Sequence, residues 1–207
     1  MKKFVFLFLV LIYIANDIQA QRFYIGAKTG LTASSFSGDG FDASKFRSSY
    51  QAGMFMGLNF ADNEWFAVQV EMLYDRRGSK RLNVVNNGTQ QEIRADFFTM
   101  PIAAKFRIPI KDKIFPHVTM GPYWSARVNQ SIGSRTNTPL LDSERVDIRK
   151  VDFGAFVGAG TDFQFNPFYI TVDMRYFFGG INQNASDNII TIRNSQIALN
   201  VGLGFIF

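Results

Sequence analysis

The chain has 207 residues, a formal charge of +5 and 47% apolar residues, which is typical of a folded domain and not of a disordered chain. It contains no Cys, which excludes disulfides, thiolate metal sites and thiol catalysis; its single His, His117, excludes any site that needs two imidazoles. The mild positive charge does not indicate nucleic-acid binding. The 23 Phe, 7 Tyr and 2 Trp residues indicate either a large core or a surface that faces lipid.

Residues 1–20 have the parts of a secretory signal peptide. Lys2 and Lys3 form a positive start, and an unbroken apolar run of 12 residues follows from Phe4 to Ala15. That run is too short for a membrane-spanning helix, which needs about 20 residues. The alternative is a buried N-terminal helix. We expect cleavage after Ala20 and an exported domain of residues 21–207.

After the leader, apolar residues recur at every second position in eight segments. In chain order these segments are residues 23–31, 54–60, 66–75, 98–107, 118–128, 153–165, 168–178 and 197–207. This period predicts two-faced β-strands, and an even number of antiparallel strands can close without a free edge. Pro101 and Pro122 lie inside two of the segments and remove ladder donors, so we expect bulges or local breaks there.

The second face of the segments is polar, which leaves two kinds of barrel open. A soluble barrel would turn this face to water, whereas a transmembrane barrel would enclose it as an interior network. The residues on this face, besides many glycines, are Lys28, Gln69, Glu71, Lys105, Arg107, Arg127, Asp162, Asp173 and Arg175.

Three further features favour the membrane. Most segments reach nine or more residues, enough to cross a bilayer when tilted. Long connections (residues 33–47, 77–91, 129–148 and 180–191) alternate with short ones (61–64, 109–113 and 166–167), as in outer-membrane barrels. Aromatic residues gather near the short connections, as in an interfacial belt; they are Phe23, Tyr24, Phe60, Trp65, Phe66, Phe106, Phe165, Phe168, Tyr169 and Phe207. The sequence therefore predicts an all-β fold, a closed eight-stranded antiparallel up-and-down transmembrane β-barrel that follows an N-terminal signal peptide.

The polar face offers one candidate for chemistry. Glu71, Asp162 and Asp173 could form an acid/base set, but the same carboxylates could equally pair with buried arginines and lysines as a structural network. We expect the network, with no catalytic residue and no cofactor. His117 follows a short connection and has no clustered ligands beside it, so no metal site is predicted.

Basic residues also cluster beside the second long connection: Arg76, Arg77, Lys80 and Arg81. Two interpretations are open. Arg and Lys pair well with phosphate, so these side chains could contact lipopolysaccharide. They could equally belong to an ordinary solvated loop.

The chain resembles the PorT-like outer-membrane β-barrel (porin-family) proteins common in Bacteroidetes, from Gln21 to Phe207. The matching motifs are residues 69–74 (QVEMLY), 99–106 (TMPIAAKF), 120–123 (MGPY), 152–154 (DFG) with 158–160 (GAG), 174–176 (MRY) with 179–181 (GGI), and 202–207 (GLGFIF). The resemblance implies an outer-membrane location and tolerance of proline at Pro101 and Pro122. It also implies that Phe207 ends a strand recognised by the barrel-assembly machinery, but it implies no single activity.

We therefore predict a non-enzymatic outer-membrane barrel with a structural, adhesive or envelope-accessory role and no large pore. Its expected partners are outer-membrane lipid and lipopolysaccharide, the assembly machinery and an unidentified envelope protein, but not nucleic acid. A lipid-modifying outer-membrane barrel enzyme and a secreted soluble barrel that binds a small apolar ligand are the alternatives.

Overall fold

The computed structural model describes residues 22–38, 45–60, 65–83, 89–108, 110, 113–134, 149–180 and 192–207, so the predicted signal peptide at 1–20 lies outside the described residues. The described residues form eight strands: β1 (Arg22–Gly38), β2 (Lys45–Asn59), β3 (Phe66–Asn83), β4 (Thr89–Arg107), β5 (Ile114–Ser134), β6 (Val151–Phe165), β7 (Phe168–Gly179) and β8 (Ile192–Ile206). Within this part of the chain, no helix has the length and apolar character needed to cross a membrane.

The strands form one closed antiparallel barrel in chain order. The first and last strands close it, with paired residues from Tyr24↔Ile206 to Gly38↔Ile192. Closure gives every strand two hydrogen-bonded neighbours, which removes the edges that an open sheet would leave. The predicted closed eight-stranded antiparallel barrel is confirmed.

The apolar face of the strands is the outer surface of the barrel. Large apolar side chains stand exposed on every strand, for example Leu31 at 71%, Met72 at 59% and Leu203 at 57%. An apolar belt of this extent is typical of a barrel that contacts lipid. The alternative of a soluble barrel with an apolar interior is therefore wrong, because the polar face is the enclosed one.

Several strands run well past the segments that alternate in sequence. β1 continues to Gly38 and β3 to Asn83, so the predicted long connections at 33–47 and 77–91 are mostly strand. The predicted long connections therefore fail for the hairpins β1–β2 and β3–β4. Apolar alternation marks only the part of a strand that faces lipid, whereas backbone pairing continues where both faces are polar.

The two prolines interrupt pairing without changing its register. Pairing between β3 and β4 stops at Val70↔Ile102 and resumes at Leu73↔Thr99, so it skips Pro101. Pairing between β4 and β5 likewise skips the position opposite Pro122. The predicted local breaks are present, but the register shifts lie elsewhere, between Phe46 and Gln51 on β2 and between Asp96 and Phe97 on β4.

The aromatic residues near the short connections divide between the two faces. Most face outward, including Trp65 at 51% and Phe168 at 50% exposure. Tyr24 and Tyr169, however, are fully buried inside, where their rings stack at a centroid distance of 4.7 Å. Their assignment to the outer belt was wrong, because both share the alternation of the polar face.

Glycine makes room for interior rings where the barrel closes. Gly26 and Gly204 are direct partners across the β1–β8 ladder. A Cβ on Gly26 would lie 2.6 Å from the Cα of Gly204 and 2.6 Å from the ring of Phe55. Phe55 in turn packs on Tyr169 at a ring distance of 5.9 Å, so neither the backbone nor the ring can move away cheaply.

Replacing Gly26 with Val should therefore destabilise the barrel by about 1–3 kcal/mol, the usual range for overpacking a filled interior. Urea unfolding in detergent micelles measures this loss. The neighbouring substitution Ala27→Val is the matched control, because Ala27 is exposed on the lipid-facing side. Equal stability of the two variants would contradict the close approach at this seam.

Candidate functional site

The interior of the barrel is the candidate site, because antiparallel pairing brings the polar face of all eight strands together there. Its ionic side chains form three groups along the barrel axis. We name them by position: the terminal network lies at the end that holds Arg22 and Phe207, the loop-end network lies at the opposite end, and the central network lies between them.

The central network is a closed square of two cations and two carboxylates. Lys28 Nζ lies 2.8 Å from Glu71 Oε1 and 2.9 Å from Asp173 Oδ2. Arg175 completes the square, with Nη2 2.8 Å from Glu71 Oε1 and Nε 2.8 Å from Asp173 Oδ1. Gln69 donates a further hydrogen bond to Glu71. Each charge thus has two opposite charges beside it, which offsets the cost of burial.

The terminal network is centred on one carboxylate. Asp162 lies 3.1 Å from Lys105 Nζ through Oδ1 and 3.0 Å from Arg107 Nε through Oδ2. The hydroxyl of Tyr169 accepts hydrogen bonds from Lys105 at 3.1 Å and from Arg107 at 3.2 Å. The Nδ1 atom of His117 lies 3.3 Å from Asp162 Oδ1.

The loop-end network is centred on Arg77. Its Nε lies 2.7 Å from Asp75 Oδ2 and its Nη1 lies 2.7 Å from Asp152 Oδ2. Its Nη2 donates to the hydroxyls of Thr99 at 2.8 Å and Ser125 at 2.9 Å. The guanidinium also lies over the ring of Phe97, 4.8 Å from its centroid. Arg77 is 1% exposed, because β3 turns this side chain into the barrel. Neither interpretation left open from sequence, lipopolysaccharide contact or a solvated loop, therefore applies to Arg77.

The other residues selected from sequence fall into three groups. Lys28, Gln69, Glu71, Lys105, Arg107, Asp162, Asp173 and Arg175 are buried inside the barrel. Arg127 is half-buried near the loop end of β5, and its guanidinium donates to Gln130. Arg76 faces outward, and the side chains of Lys80 and Arg81 lie outside the described part of the structure.

Sequence reasoning missed the loop-end network. Asp75 and Arg77 continue the alternation of Gln69 and Glu71 along β3, and this parity could have placed both inside. Asp152 lies one residue before the predicted start of its strand. Around these residues the second face of the strand is no longer apolar, so apolar alternation does not mark them as part of a strand.

The networks differ in net charge. Counting Lys, Arg, Asp and Glu only, the terminal network carries +1, the central network 0 and the loop-end network −1. The three together are neutral, as expected for charges enclosed in a medium of low dielectric constant.

The enclosed carboxylates are poorly placed for chemistry on a substrate. Glu71, Asp162 and Asp173 are at most 1% exposed, and His117 is 3% exposed. No group of three or more His, Cys, Asp or Glu among the described residues could hold a metal ion. What the geometry supports is a paired and hydrogen-bonded filling of the barrel.

Residues 19–186 match the family model described as outer membrane protein beta-barrel domain. The chain belongs to this family. It is therefore an outer-membrane barrel, in agreement with its apolar outer surface. No match to this chain was found among curated proteins.

Two solved structures show the same fold. The barrel is similar to OprG from Pseudomonas aeruginosa, with 11% identity over 91% of this chain and 96% of that chain and a TM-score of 0.50. It is also similar to AlkL, solved by solid-state NMR in DMPC lipid bilayers, with 11% identity over 91% of this chain and 90% of that chain and a TM-score of 0.50. At this identity the likeness is one of fold alone.

Replacing Glu71 with Gln should lower the free energy of unfolding of this outer-membrane barrel by about 3–5 kcal/mol, because it leaves buried Lys28 and Arg175 with one carboxylate between them. The double variant Lys28→Gln/Glu71→Gln removes one charge of each sign and should recover much of the loss. Urea titrations of the three proteins in micelles measure both effects. Loss of a hydrolytic activity at unchanged stability would instead assign Glu71 to catalysis.

Proposed function

We propose that this outer-membrane barrel has no enzymatic activity and serves a structural, adhesive or envelope-accessory role. The observation that supports it is the pairing of the interior charges. A barrel enzyme that acts on lipid needs a nucleophile or base that the lipid can reach. The carboxylates of the central and terminal networks are instead enclosed and face cations at 2.8–3.1 Å.

We also propose that the barrel forms no large pore. The interior of an eight-stranded barrel is just wide enough for side chains to fill it. Bulky side chains are fully buried at successive levels here, among them Tyr24, Arg175, Tyr123 and Arg77. This filling supports a lumen without the aqueous channel that barrels of 16 or more strands enclose.

Vesicles that contain the purified barrel should retain entrapped sugars and should leave their own lipids intact. A reconstituted 16-stranded porin is the positive control for release, because its barrel encloses water. Sugar efflux and the appearance of free fatty acid are measured on the same vesicles. Efflux at the rate of the porin would contradict the closed lumen, and fatty-acid release would favour the lipid-modifying enzyme.

The proposed route to the membrane begins with a signal peptide at residues 1–20, which fits export of the mature domain 21–207. Both mature termini would then lie in the periplasm and the long connections outside the cell, as in other barrels of this kind. The proposed signal for the assembly machinery is the last strand. Phe207 supports this role, because its ring is 74% exposed beside the closing ladder and its N–H donates to Phe23 O at 2.7 Å.

The proposed orientation can be tested by labelling single introduced cysteines, because the chain itself contains no cysteine. Lys150 and Lys113 are both exposed at opposite ends of the barrel. A membrane-impermeant maleimide should label Lys150→Cys on intact cells and Lys113→Cys only after the outer membrane is permeabilised. The reverse pattern would overturn the orientation.

Within the family, we propose that the chain falls among the PorT-like barrels. This assignment rests on the order of the motifs from residues 69–74 to 202–207.

The role of the barrel can be tested by crosslinking on intact outer membranes. Recovery of one envelope protein in stoichiometric amount supports an accessory role, whereas recovery of the barrel alone supports a free-standing structural role.

A further inference from the structure

A polar depression opens on the outer surface of the barrel, on the four consecutive strands β2 to β5. It has a volume of about 140 Å³, several times the roughly 30 Å³ that one water occupies in the liquid. Three arginines and one carboxylate give its walls a net charge of +2. The lining residues are Arg47, Arg76, Arg94, Asp96, Asn129 and Ser131.

The register of β3, β4 and β5 assembles five of these six side chains. Arg76, Asp96 and Asn129 stand directly opposite one another on β3, β4 and β5, and Arg94 stands opposite Ser131 in the next row. Asp75 and Arg77, on either side of Arg76, point into the barrel, so Arg76 points out. The depression is therefore separate from the loop-end network, although the two lie at the same height.

Arg76 is held in place by three neighbours, one of which is its hydrogen-bond partner Tyr74. Its Nε lies 3.3 Å from Asp96 Oδ1, and its guanidinium lies over the ring of Tyr50 at 5.2 Å from the centroid. The side chain of Arg76 nevertheless remains 42% exposed. A guanidinium has five N–H donors, so an arginine with one or two partners retains donors for an anion. Arg47 and Arg94 also line the depression, and both have partners of their own.

The depression lies where lipid headgroups are expected. Three exposed aromatic residues lie beside it or towards the middle of the barrel: Tyr50, Phe98 and Trp124, at 44–48% exposure. Aromatic girdles take this position at a membrane interface. Arg76 follows Phe66, which lies at the other end of the belt, by ten residues. At about 3.3 Å per residue and a tilt of about 40°, this separation is about 25 Å, the height of the apolar band of such barrels.

We propose that this depression binds a phosphate group carried by an outer-leaflet lipid, the phosphorylated glycolipid portion of lipopolysaccharide. Arg47, Arg76 and Arg94 would supply charge-assisted donors to the phosphate oxygens, and Asn129 and Ser131 would supply neutral donors. Asp96 also lines the depression, but it is paired with Arg76 and leaves the walls a net charge of +2. The assignment rests on the proposed outward orientation of the loop end, since only that leaflet carries the glycolipid.

The test is a binding titration with the purified full-length mature barrel in neutral detergent. Lipid A, lipid A from which both phosphates have been removed, and inorganic phosphate are the three probes. The variant Arg76→Gln/Arg94→Gln removes two donors, and Lys150→Gln is the control, because it removes one exposed positive charge at the same end outside the depression. Urea unfolding of each variant shows that it is folded.

Wild-type barrel and Lys150→Gln should bind lipid A with equal affinity, and Arg76→Gln/Arg94→Gln should bind it at least about tenfold more weakly, since each lost charge-assisted bond is worth about a factor of ten. Removal of the phosphates should have the same effect on the wild type. Equal binding of lipid A with and without phosphate, or by wild type and double variant, would overturn the site.

Displacement of lipid A by equimolar inorganic phosphate would overturn the lipid assignment and leave a site for free phosphate. Because the titration uses purified protein, its outcome is independent of the cysteine labelling that tests the orientation. A failed labelling pattern with intact phosphate-dependent binding would thus overturn the proposed topology and the assignment to an outer-leaflet lipid, and would leave a phosphate site.

Discussion

Within a bilayer a backbone N–H or C=O group without a hydrogen-bond partner is costly, because hydrocarbon offers no water in its place. The ladder between β1 and β8 supplies these partners for the first and last strands. The rest of the structure depends on this closure. Once the sheet closes, each strand has one face outside and one inside. Apolar side chains on the outer face and polar side chains on the inner face follow from that division.

The enclosed face then has its own constraint, because a charge in a narrow interior must meet an opposite charge. Lys28 and Arg175 come from β1 and β7, and their partner Glu71 comes from β3. Ion pairs of this kind connect strands that are not neighbours in the sheet. Together with the rings of Tyr24, Phe55 and Tyr169, they fix the cross-section of the barrel in a way that backbone ladders alone cannot.

The fold could be predicted because period-two alternation is strong wherever one face contacts lipid. The alternation is lost where both faces of a strand are polar, and for this reason β1 and β3 extend beyond their predicted ends. The interior aromatic residues could have been placed by parity, as Phe177 shares the alternation of Asp173 and Arg175. The depression around Arg76 could not be predicted from the sequence, because its side chains are brought together by the register of the strands. The shift between Phe46 and Gln51 lies beside Arg47, and no residue type in that stretch marks it.

The length of the strands has a mechanical consequence. β3 continues seven residues beyond Arg76 to Asn83, which at about 3.3 Å per residue and a tilt of about 40° raises its end about 18 Å above that row. Over much of this height β4 is paired with β3, from Asn83↔Thr89 downward, and β5 is paired with β4, from Gln91↔Ser134 downward. The barrel wall is thus higher on one side, where the paired ends of β3, β4 and β5 stand above the level expected for the lipid headgroups.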